Sequence, residues 1–349
     1  MSQKVKVAVV GASGYSGREL LRLLLLHPHA EVVAVTSRAA AGKALATEFP
    51  RFRGLPPADA LTFIPPDIAG IVASGATVAF LAVPHGVAHE FAKPLLDAGL
   101  RIIDLSADFR LRDAAVYAEY YDHAHPAPEL LAEAVYALPE LRAQDIKDAR
   151  LIACPGCYPT SVLVLLVPLL RAGLLADSPI SVASMSGVSG AGRKESIPFL
   201  FCECNESVRS YSVPKHRHQS EIGQELDLAA GRAVRFSFVP HLVPVNQGIC
   251  TTIFAELRAG ASLEDVEQAY TSAYAGKFFV RLLGRNQCPD TKHVTGTNFV
   301  DLGWAFDARS QQLILLSAED NLMKGASGQA VQNFNLAYGF EETEGLMLA

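Results

Sequence analysis

The N-terminal segment carries the feature that most restricts the fold of this chain: an apolar run, a glycine-rich turn and an amphipathic stretch in direct succession. The run spans Val5–Val10, the turn reads Gly-Ala-Ser-Gly-Tyr-Ser-Gly over 11–17, and the amphipathic stretch covers 18–26. This order predicts a strand, a turn and a helix. A second apolar run at 31–36 completes a βαβ unit of ordinary length.

The alternation of strand and helix patterns continues after this unit. Apolar strand candidates cover 77–83 and 101–105, and an amphipathic helix candidate covers 86–98 between them. Such alternation predicts an α/β domain with a doubly wound parallel sheet of the Rossmann type.

The pattern changes after residue 150. Long strand candidates at 180–185, 249–257 and 313–317 are separated by loops and only a few helices. This predicts an α+β domain with a mixed or antiparallel sheet. We expect the last helical pattern, 327–338, to return to the first domain.

The composition excludes several classes of protein. With 349 residues, 50% of them hydrophobic, the chain can bury two domain cores. A formal net charge of -6 without a basic block argues against a nucleic-acid partner. The apolar runs are shorter than the roughly 20 residues of a membrane helix, and we find no secretory segment. Six cysteines are too few for a disulfide scaffold and lack the usual zinc spacing. We therefore expect a cytoplasmic protein without a metal site.

The glycine turn matches a dinucleotide-binding pattern. Gly11, Gly14 and Gly17 form G-x-x-G-x-x-G, in which N–H groups at a helix N-terminus face a pyrophosphate. After the second strand, Ser37 and Arg38 stand where an NAD site would place an acidic residue for the ribose. Arginine and serine can bind a 2′-phosphate, so we predict NADP rather than NAD. The alternative is that Arg38 is an ordinary solvated surface residue.

A second motif suggests a nucleophile. Cys157 follows a strand and a Pro/Gly turn and precedes the apolar helix pattern 161–170. A helix N-terminus favours the thiolate over the thiol. From spacing alone, a small buried core residue is an equal alternative. Cys154, on the strand side of the turn, is expected to be buried and inert.

A thiolate beside a nicotinamide suggests that an acyl group is captured as a thioester and reduced to an aldehyde. This chemistry needs an acid–base group, and His216 and His218 in KHRHQSEI (215–222) are the first candidates. The alternative is a solvated basic loop. His241 is a third candidate, and His85 is expected to line the cofactor cleft. Four other histidines are expected on surface loops: His27, His29, His123 and His125.

Several motifs together resemble the N-acetyl-γ-glutamyl-phosphate reductase family, relatives of aspartate-semialdehyde dehydrogenase. They are GASGYSGREL (11–20), FLAVPHG (80–86), DLSADFRL (104–111), PGCYPT (155–160), SGVSGAGRK (186–194), KHRHQSEI (215–222), VPHLVPVNQGI (239–249) and DNLMKGASGQAVQNFN (320–335). The resemblance runs nearly end to end. It implies the NADPH-dependent reductive dephosphorylation of N-acetylglutamyl phosphate to its semialdehyde, the third step of arginine biosynthesis.

The resemblance also implies residue roles. Cys157 would accept the acyl group, and His216 or His218 would be the acid–base residue, without a choice between them. Arg110, which would otherwise be read as a surface residue, would bind phosphate. Ser186 and Arg193 would also contact the substrate. The implied cofactor-binding residues are Gly11, Ser13, Gly14, Tyr15, Ser16, Gly17, Ser37, Arg38, Pro84, Gly187, Gly190, Asn321, Lys324 and Gly325.

The same resemblance implies a division into domains. An NADP-binding domain would cover 1–153, completed by 322–349, and a catalytic and oligomerisation domain would cover 154–321. The protein would be a homo-oligomer, dimer or tetramer, that acts on a small-molecule acyl phosphate.

Two residues depart from the family pattern. Cys154 stands where the family usually has asparagine, and Gln247 stands where it commonly has arginine. These departures leave open a lysine-pathway relative that reduces a carrier-bound aminoadipyl phosphate. An alternative of a different class is a non-catalytic NADP-binding regulator, which would need neither Cys157 nor the paired histidines.

Overall fold

The computed structural model describes residues 4–193 and 195–347. The chain divides into two compact units. The first combines the chain up to Ala114 with Ala124–Pro155 and the stretch from Ala326 onward, and the second combines Ala115–His123 with Gly156–Gly325. The chain therefore passes from the first unit to the second between Pro155 and Gly156, and it returns between Gly325 and Ala326. Both positions lie a few residues after the expected boundaries. The transfer of Ala115–His123 to the second unit has no counterpart in the sequence prediction.

Strands and helices occur in the following order. The strands are β1 Val5–Val10, β2 Ala30–Thr36, β3 Phe63–Ile64, β4 Val78–Leu81, β5 Arg101–Asp104, β6 Val135–Tyr136, β7 Leu151–Ala153, β8 Ile180–Ser186, β9 Arg209–Ser210, β10 Phe236–Leu242, β11 Ile249–Ala255, β12 Val280–Arg285, β13 Val300–Asp307 and β14 Gln312–Glu319. The α-helices are α1 Tyr15–Leu24, α2 Leu45–Glu48, α3 Pro56–Asp59, α4 Ile68–Ala73, α5 His89–Asp97, α6 Ala114–Tyr121, α7 Pro139–Asp148, α8 Cys157–Arg171, α9 Phe201–Cys204, α10 Arg217–Ala230, α11 Leu263–Ala273 and α12 Gly328–Tyr338.

The first unit contains a seven-stranded sheet in the order β3-β2-β1-β4-β5-β7-β6. Every pairing in it is parallel, which confirms the predicted doubly wound sheet. Strand β4 is apolar and buried throughout, and so is β1 from Val7 to Val10, because helices cover both faces of such a sheet. The last helix, α12, contacts α1, α7 and β5, so the predicted return of the C-terminal helix is also confirmed.

Two histidines expected on surface loops are buried in the first unit. His27 is 1% exposed, and its Nε2 lies 2.9 Å from Asn335 Oδ1. His125 is 5% exposed, and its Nε2 lies 2.7 Å from the carbonyl oxygen of Asp108. Burial lowers the pKa of both. The prediction was wrong for these two residues because each finds its hydrogen-bond partner outside its own loop.

The second unit contains a mixed sheet in the order β12-β13-β14-β11-β8-β10-β9. The β8/β10 and β12/β13 pairs are parallel and the other pairs are antiparallel, which confirms the predicted α+β domain. Helix α8 packs on β11 and β14, and it also contacts α10 and α11. It can be apolar almost throughout because its residues Tyr158 to Leu170 are all buried. No helix in the described part of the chain is long and apolar enough to cross a bilayer.

Candidate active site

The glycine turn in the first unit has the shape that its motif predicts. Gly11 follows β1 with φ +81°, and an added Cβ would lie 2.6 Å from the carbonyl oxygen of Ala82. A Cβ on Gly17 would lie 2.6 Å from Ala12 Cα. Gly14 is the N-cap of α1 and offers no side-chain hydrogen bond. Backbone N–H groups at the start of α1 can therefore face an anion, and the binding of a phosphate there stays a prediction.

Ser37 and Arg38 differ in their surroundings. The Ser37 hydroxyl is buried, donates to Ser13 Oγ at 3.0 Å and accepts from the Ala40 N–H at 3.2 Å. Ser37 thus shapes the loop after β2. The Arg38 side chain is 74% exposed, with its Nη2 3.5 Å from Glu90 Oε2. An exposed ion pair of this kind is worth little, so the guanidinium can exchange partners. Tyr15 and Ser16 are half-buried in the turn, and Pro84 is exposed after β4.

A network of buried carboxylates begins at the last residue of β5 and continues into the loop after it. Asp108 accepts hydrogen bonds from the N–H groups of Gly86 (2.6 Å) and Ala88 (2.8 Å), tying together the loops that follow β4 and β5. Asp104 is fully buried and accepts from both the N–H and the hydroxyl of Ser106. Burial, with a contribution from the Asp108 charge, raises the pKa of Asp104 to about 7. Sequence reasoning did not identify these two carboxylates.

Arg110 belongs to the same network. It is only 5% exposed, and it donates from Nε to the Cys154 carbonyl (2.8 Å) and from Nη2 to the Leu105 carbonyl (2.9 Å). The reading of Arg110 as a surface residue is therefore wrong. Its contact with a phosphate stays a prediction. His85, expected near the cofactor, is exposed, and its Nδ1 accepts from the Ala107 N–H at 3.1 Å.

Cys157 is the first residue of α8, directly after the N-cap Gly156. It is half-buried, so the core alternative does not describe it. A Cβ on Gly325 would lie 2.7 Å from Cys157 Cβ and 3.2 Å from Glu319 Oε1, and Gly325 therefore permits a close approach of two chain segments. The buried Glu221 accepts from the Gly156 N–H at 2.7 Å. The thiol thus lies at a helix N-terminus, as predicted, with carboxylates nearby.

Cys154 has the opposite character. It is 1% exposed, and burial raises the pKa of its thiol to about 12. The Asn333 Nδ2 lies 3.5 Å from its sulfur. This thiol is buried and protonated, as the sequence analysis expected.

His216 and His218 occupy different positions at the start of α10. His216 is the N-cap of α10, where its Nδ1 accepts from the His218 N–H at 3.1 Å. Its ring centroid lies 5.8 Å from that of Tyr158 and 5.5 Å from that of Tyr211. Burial lowers the pKa of His216 to about 4, so near neutral pH it is uncharged and carries its proton on Nε2. The alternative of a solvated basic loop is wrong for this residue.

His218 lies in the first turn of α10. Its ring centroid is 5.0 Å from that of His216 and 5.8 Å from that of Tyr158. Both predicted histidines therefore contact the residue that follows Cys157. The third candidate, His241, contributes its carbonyl oxygen, 3.4 Å from the Tyr158 hydroxyl.

Two tyrosines complete this cluster. The Tyr158 and Tyr211 hydroxyls lie 2.9 Å apart. Burial raises the pKa of Tyr211 to about 12, and an electrostatic interaction with Cys157 adds to this rise. Tyr158 was visible within the PGCYPT motif. Tyr211 lies outside the quoted motifs and carried no sequence signal.

The glycine-rich loop after β8 packs against a second loop. Gly187 donates from its N–H to the Gly248 carbonyl (2.9 Å), and a Cβ on Gly187 would lie 2.8 Å from Gln247 N. Asn321 bridges the two loops: its Oδ1 accepts from the Gly248 N–H (2.8 Å), and its Nδ2 donates to Ser189 Oγ (2.9 Å). Asn321 and Gln247 thus both lie at this junction.

The remaining predicted residues of the second unit lie around the same loops. Ser186 is 2% exposed at the end of β8, and a Cβ on Gly190 would lie 3.0 Å from its hydroxyl. Arg193 is exposed, and the adjacent Lys194 of the motif lies outside the described residues. Lys324 is fully buried, with its Nζ 5.9 Å from the centroid of the Phe279 ring. Contacts of these residues with substrate or cofactor stay predictions.

Comparison with known proteins gives consistent matches over both units. Residues 6–149 match the family model described as semialdehyde dehydrogenase, NAD binding domain, and residues 157–321 match semialdehyde dehydrogenase, dimerisation domain. The chain is 59% identical to the N-acetyl-gamma-glutamyl-phosphate reductase of Akkermansia muciniphila, over 99% of each chain. It is 47% identical to that of Geobacter metallireducens, over 98% of each.

The fold is also similar to solved structures. Aspartate semialdehyde dehydrogenase II from Vibrio cholerae superposes with a TM-score of 0.73 at 19% identity, covering 97% of this chain and 99% of that one. At this identity the likeness shows the fold alone.

Proposed function

The chain belongs to the N-acetyl-gamma-glutamyl-phosphate reductase family, and on that premise we propose that it catalyses the NADPH-dependent reductive dephosphorylation of N-acetyl-L-glutamyl 5-phosphate. The product is N-acetyl-L-glutamate 5-semialdehyde, an intermediate of arginine biosynthesis. The observation that carries this proposal is the 59% identity to a reductase of that name over 99% of the chain. The position of Cys157 at the start of α8 supports a thioester route.

In the proposed route, Cys157 acts as the nucleophile. Its thiolate, stabilised by the α8 N-terminus, attacks the γ-acyl carbon, a C–S bond forms and the C–O bond to phosphate breaks. When bound, NADPH supplies the hydride that reduces the thioester. A histidine donates a proton to the oxyanion as the thiohemiacetal forms, and it takes that proton back as the C–S bond breaks to release the aldehyde and the thiolate. The N–H groups of the Gly11–Gly17 turn would hold the cofactor pyrophosphate, and Arg110 would hold the phosphate of the substrate.

We assign the proton transfer to His218 and a different role to His216. The Nδ1 of His216 is occupied by the helix cap, and burial keeps its pKa near 4. His216 is therefore a neutral hydrogen-bond donor through Nε2 rather than a group that cycles between charge states. His218 is not the cap residue, and its ring also contacts that of Tyr158.

The reverse reaction tests the thioester route. With phosphate, NADP and N-acetyl-L-glutamate 5-semialdehyde, the wild-type protein should form NADPH, and Cys157→Ala should not. Cys202→Ala, which removes an exposed thiol, is the matched control and should keep full activity. Comparable turnover by Cys157→Ala would contradict the route. Aspartate and aminoadipate semialdehydes, offered in parallel, decide between this substrate and those of the related enzymes.

The cofactor preference is proposed to rest on Arg38. Because Ser37 shapes its own loop, Arg38→Ala is the cleaner substitution. Loss of a charge-assisted contact of about 1.5–3 kcal/mol should raise the KM for NADPH by about tenfold or more. The KM for NADH should stay unchanged. An equal effect on both cofactors would show that Arg38 does not read the 2′-phosphate.

We further propose that the protein is a homo-oligomer, and the exposed face of the second sheet supports this. Helices cover one face, whereas Met185 and Phe254 on the other are 46% and 40% exposed. The family model that matches 157–321 is named for dimerisation. Phe254→Glu should shift the sedimentation coefficient toward the monomer, and Phe278→Glu, at a site that is 50% exposed but outside this sheet, should not.

We also propose a cytoplasmic location. The structure describes all six cysteines as free thiols, the state that a reducing compartment maintains.

A further inference from the structure

Helix α6 is separated from the unit that contains its neighbours in the chain. Residues Ala115–His123 group with the second unit, although the stretches before Ala115 and after His123 belong to the first. Within the second unit, this segment contacts the residues on either side of His216. These contacts come from Lys215 and Arg217.

Lys215 contacts two adjacent residues of α6, Glu119 and Tyr120. Its Nζ donates to the Glu119 carbonyl oxygen at 2.7 Å and lies 3.4 Å from Glu119 Oε1. The same Nζ lies 4.9 Å from the centroid of the Tyr120 ring. The ion pair is exposed and contributes little by itself. The Glu119 carbonyl oxygen and the face of the Tyr120 ring each favour one position of the Lys215 ammonium group.

Arg217 makes the second contact. Its Cζ lies 5.7 Å from the centroid of the Tyr121 ring. That ring stacks on Tyr117 with centroids 4.5 Å apart and an interplanar angle of 11°. Tyr117 is fully buried. Its burial fixes the position of the Tyr121 ring that Arg217 contacts.

The backbone between these contacts is extended, with φ −105° and ψ 143° at His216. In an extended chain, successive side chains point to opposite sides. Lys215 and Arg217 therefore face α6, and His216 faces the Tyr158 and Phe238 rings.

We propose that α6 positions the histidine segment, and that Lys215 and Arg217 are positioning residues for His216 and for the α10 turn that bears His218. The contacts of Lys215 and Arg217 lie on one side of the extended segment 215–217, so they fix the direction in which the His216 side chain points. Because His216 caps α10, its orientation also sets the first turn of that helix. The inference rests on the proposed roles of the two histidines.

The test is Lys215→Met, which keeps the length of the side chain but removes its N–H donors and charge. General acid–base catalysis contributes about 10²–10⁴-fold, so partial misplacement of the histidines should lower kcat about tenfold to 100-fold. The KM for NADP should stay unchanged. Solvent reaching His216 should move its pKa up from about 4, and the acid limb of the kcat profile should move to higher pH. Lys215→Arg, which restores the donors and the charge, should recover most of kcat.

Glu119→Gln is the matched control. It removes the exposed ion pair but keeps the backbone acceptor and the Tyr120 ring, so kcat and the pH profile should match the wild type. Thermal midpoints of all variants should agree within about 2 °C. If Lys215→Met keeps the wild-type kcat and pH profile, or if Glu119→Gln loses as much activity, the positioning role is overturned.

His216→Ala and His218→Ala, assayed beside these variants, separate the two proposals. If both histidine variants lose activity and Lys215→Met does not, only the role of α6 fails. If both histidine variants remain fully active, the histidine roles fail and the role of α6 fails with them.

Discussion

The Glu221 carboxylate accepts a hydrogen bond from the backbone N–H of Gly156, with 2.7 Å between the two atoms. Gly156 is the N-cap of α8 and directly precedes the proposed nucleophile. Glu221 follows His218 by three residues in α10, and residues at this spacing share one face of a helix. This buried hydrogen bond therefore links the start of the Cys157 helix to the helix of the proposed acid–base residue.

Removal of this carboxylate should affect stability and activity together. Glu221→Ala leaves the Gly156 N–H without this acceptor, which costs about 1–3 kcal/mol of unfolding free energy and should lower kcat. Glu221→Gln keeps an acceptor oxygen but removes a negative charge near the α8 N-terminus. The thiolate should then form more easily, and the acid limb of kcat/KM should move to lower pH. Urea denaturation and pH–rate profiles measure the two effects.

Glu225→Gln is the control for charge on the same helix, one turn further along. It should leave the acid limb in place. An identical displacement in both variants would mean that the effect is a general change in the field of α10 rather than the contact with Gly156.

Gly325→Ala should displace the nucleophile. The added Cβ would lie 2.7 Å from Cys157 Cβ, well inside the roughly 3.5–4.0 Å contact distance of two carbons. A shift of about 1 Å can cost about 100-fold in rate, so kcat should fall by about that factor. Gly223→Ala, inside α10, places its Cβ 3.4 Å from Phe236 Cε1 and should keep kcat. Unchanged kcat in Gly325→Ala would show that the Cys157 position tolerates the shift.

Cys154 and Cys157, which lie on either side of the Pro155-Gly156 turn, should differ in reactivity. Burial holds the pKa of Cys154 at about 12, so near neutral pH it stays a buried thiol and resists iodoacetamide. Half-buried Cys157 should be modified, and activity should be lost at the same rate. Peptide mass spectrometry follows each site, with exposed Cys202 and Cys288 as labelling references. Modification of Cys154 before unfolding would contradict its buried position.

Asp104 should make the stability of the protein depend on pH. Burial raises its pKa from 3.8 to about 7, so between these values the folded state binds more protons than the unfolded state. The resulting stabilisation is complete below the unfolded pKa and is lost as the pH rises through about 7. In urea denaturation between about pH 6 and about pH 8, Asp104→Asn should become more stable relative to the wild type. The contributions of His27 and His125 are common to both proteins and cancel in this difference.

Asp307→Asn provides the comparison for this effect. Hydrogen bonds with Ser310 and Arg309 lower the pKa of Asp307, so it stays ionised across the same range. Its stability difference from the wild type should be flat. A flat difference for Asp104→Asn as well would mean that the Asp104 carboxyl is already ionised at pH 6.

Local patterns predicted much of the fold and part of the site. The Gly11 turn follows from local backbone sterics, since its φ of +81° is a conformation that glycine adopts without strain. The placement of Cys157 at a helix start follows from the Pro/Gly turn and the apolar run after it. The edge strand Val135–Tyr136 is too short for its apolar pattern to identify it.

The partners of the site residues could not be predicted in this way. Glu221 meets Gly156 across 65 positions of sequence, and Tyr158 meets Tyr211 across 53. His27 reads as a surface loop residue until Asn335 is seen beside it. Such pairings depend on which elements pack together, and the local sequence around one residue does not identify its partner.

The sequence by itself determined the doubly wound first domain, the mixed second sheet, the glycine turn after β1 and the position of Cys157 near the start of a helix. These features depend on hydrophobic periodicity and backbone sterics, which act over a few residues. Only the tertiary structure decided that His216 is a neutral cap, that Arg110 and Asp104 are buried, and that α6 joins the second unit. Burial and long-range hydrogen bonds set protonation and orientation, and both exist only once distant segments have packed.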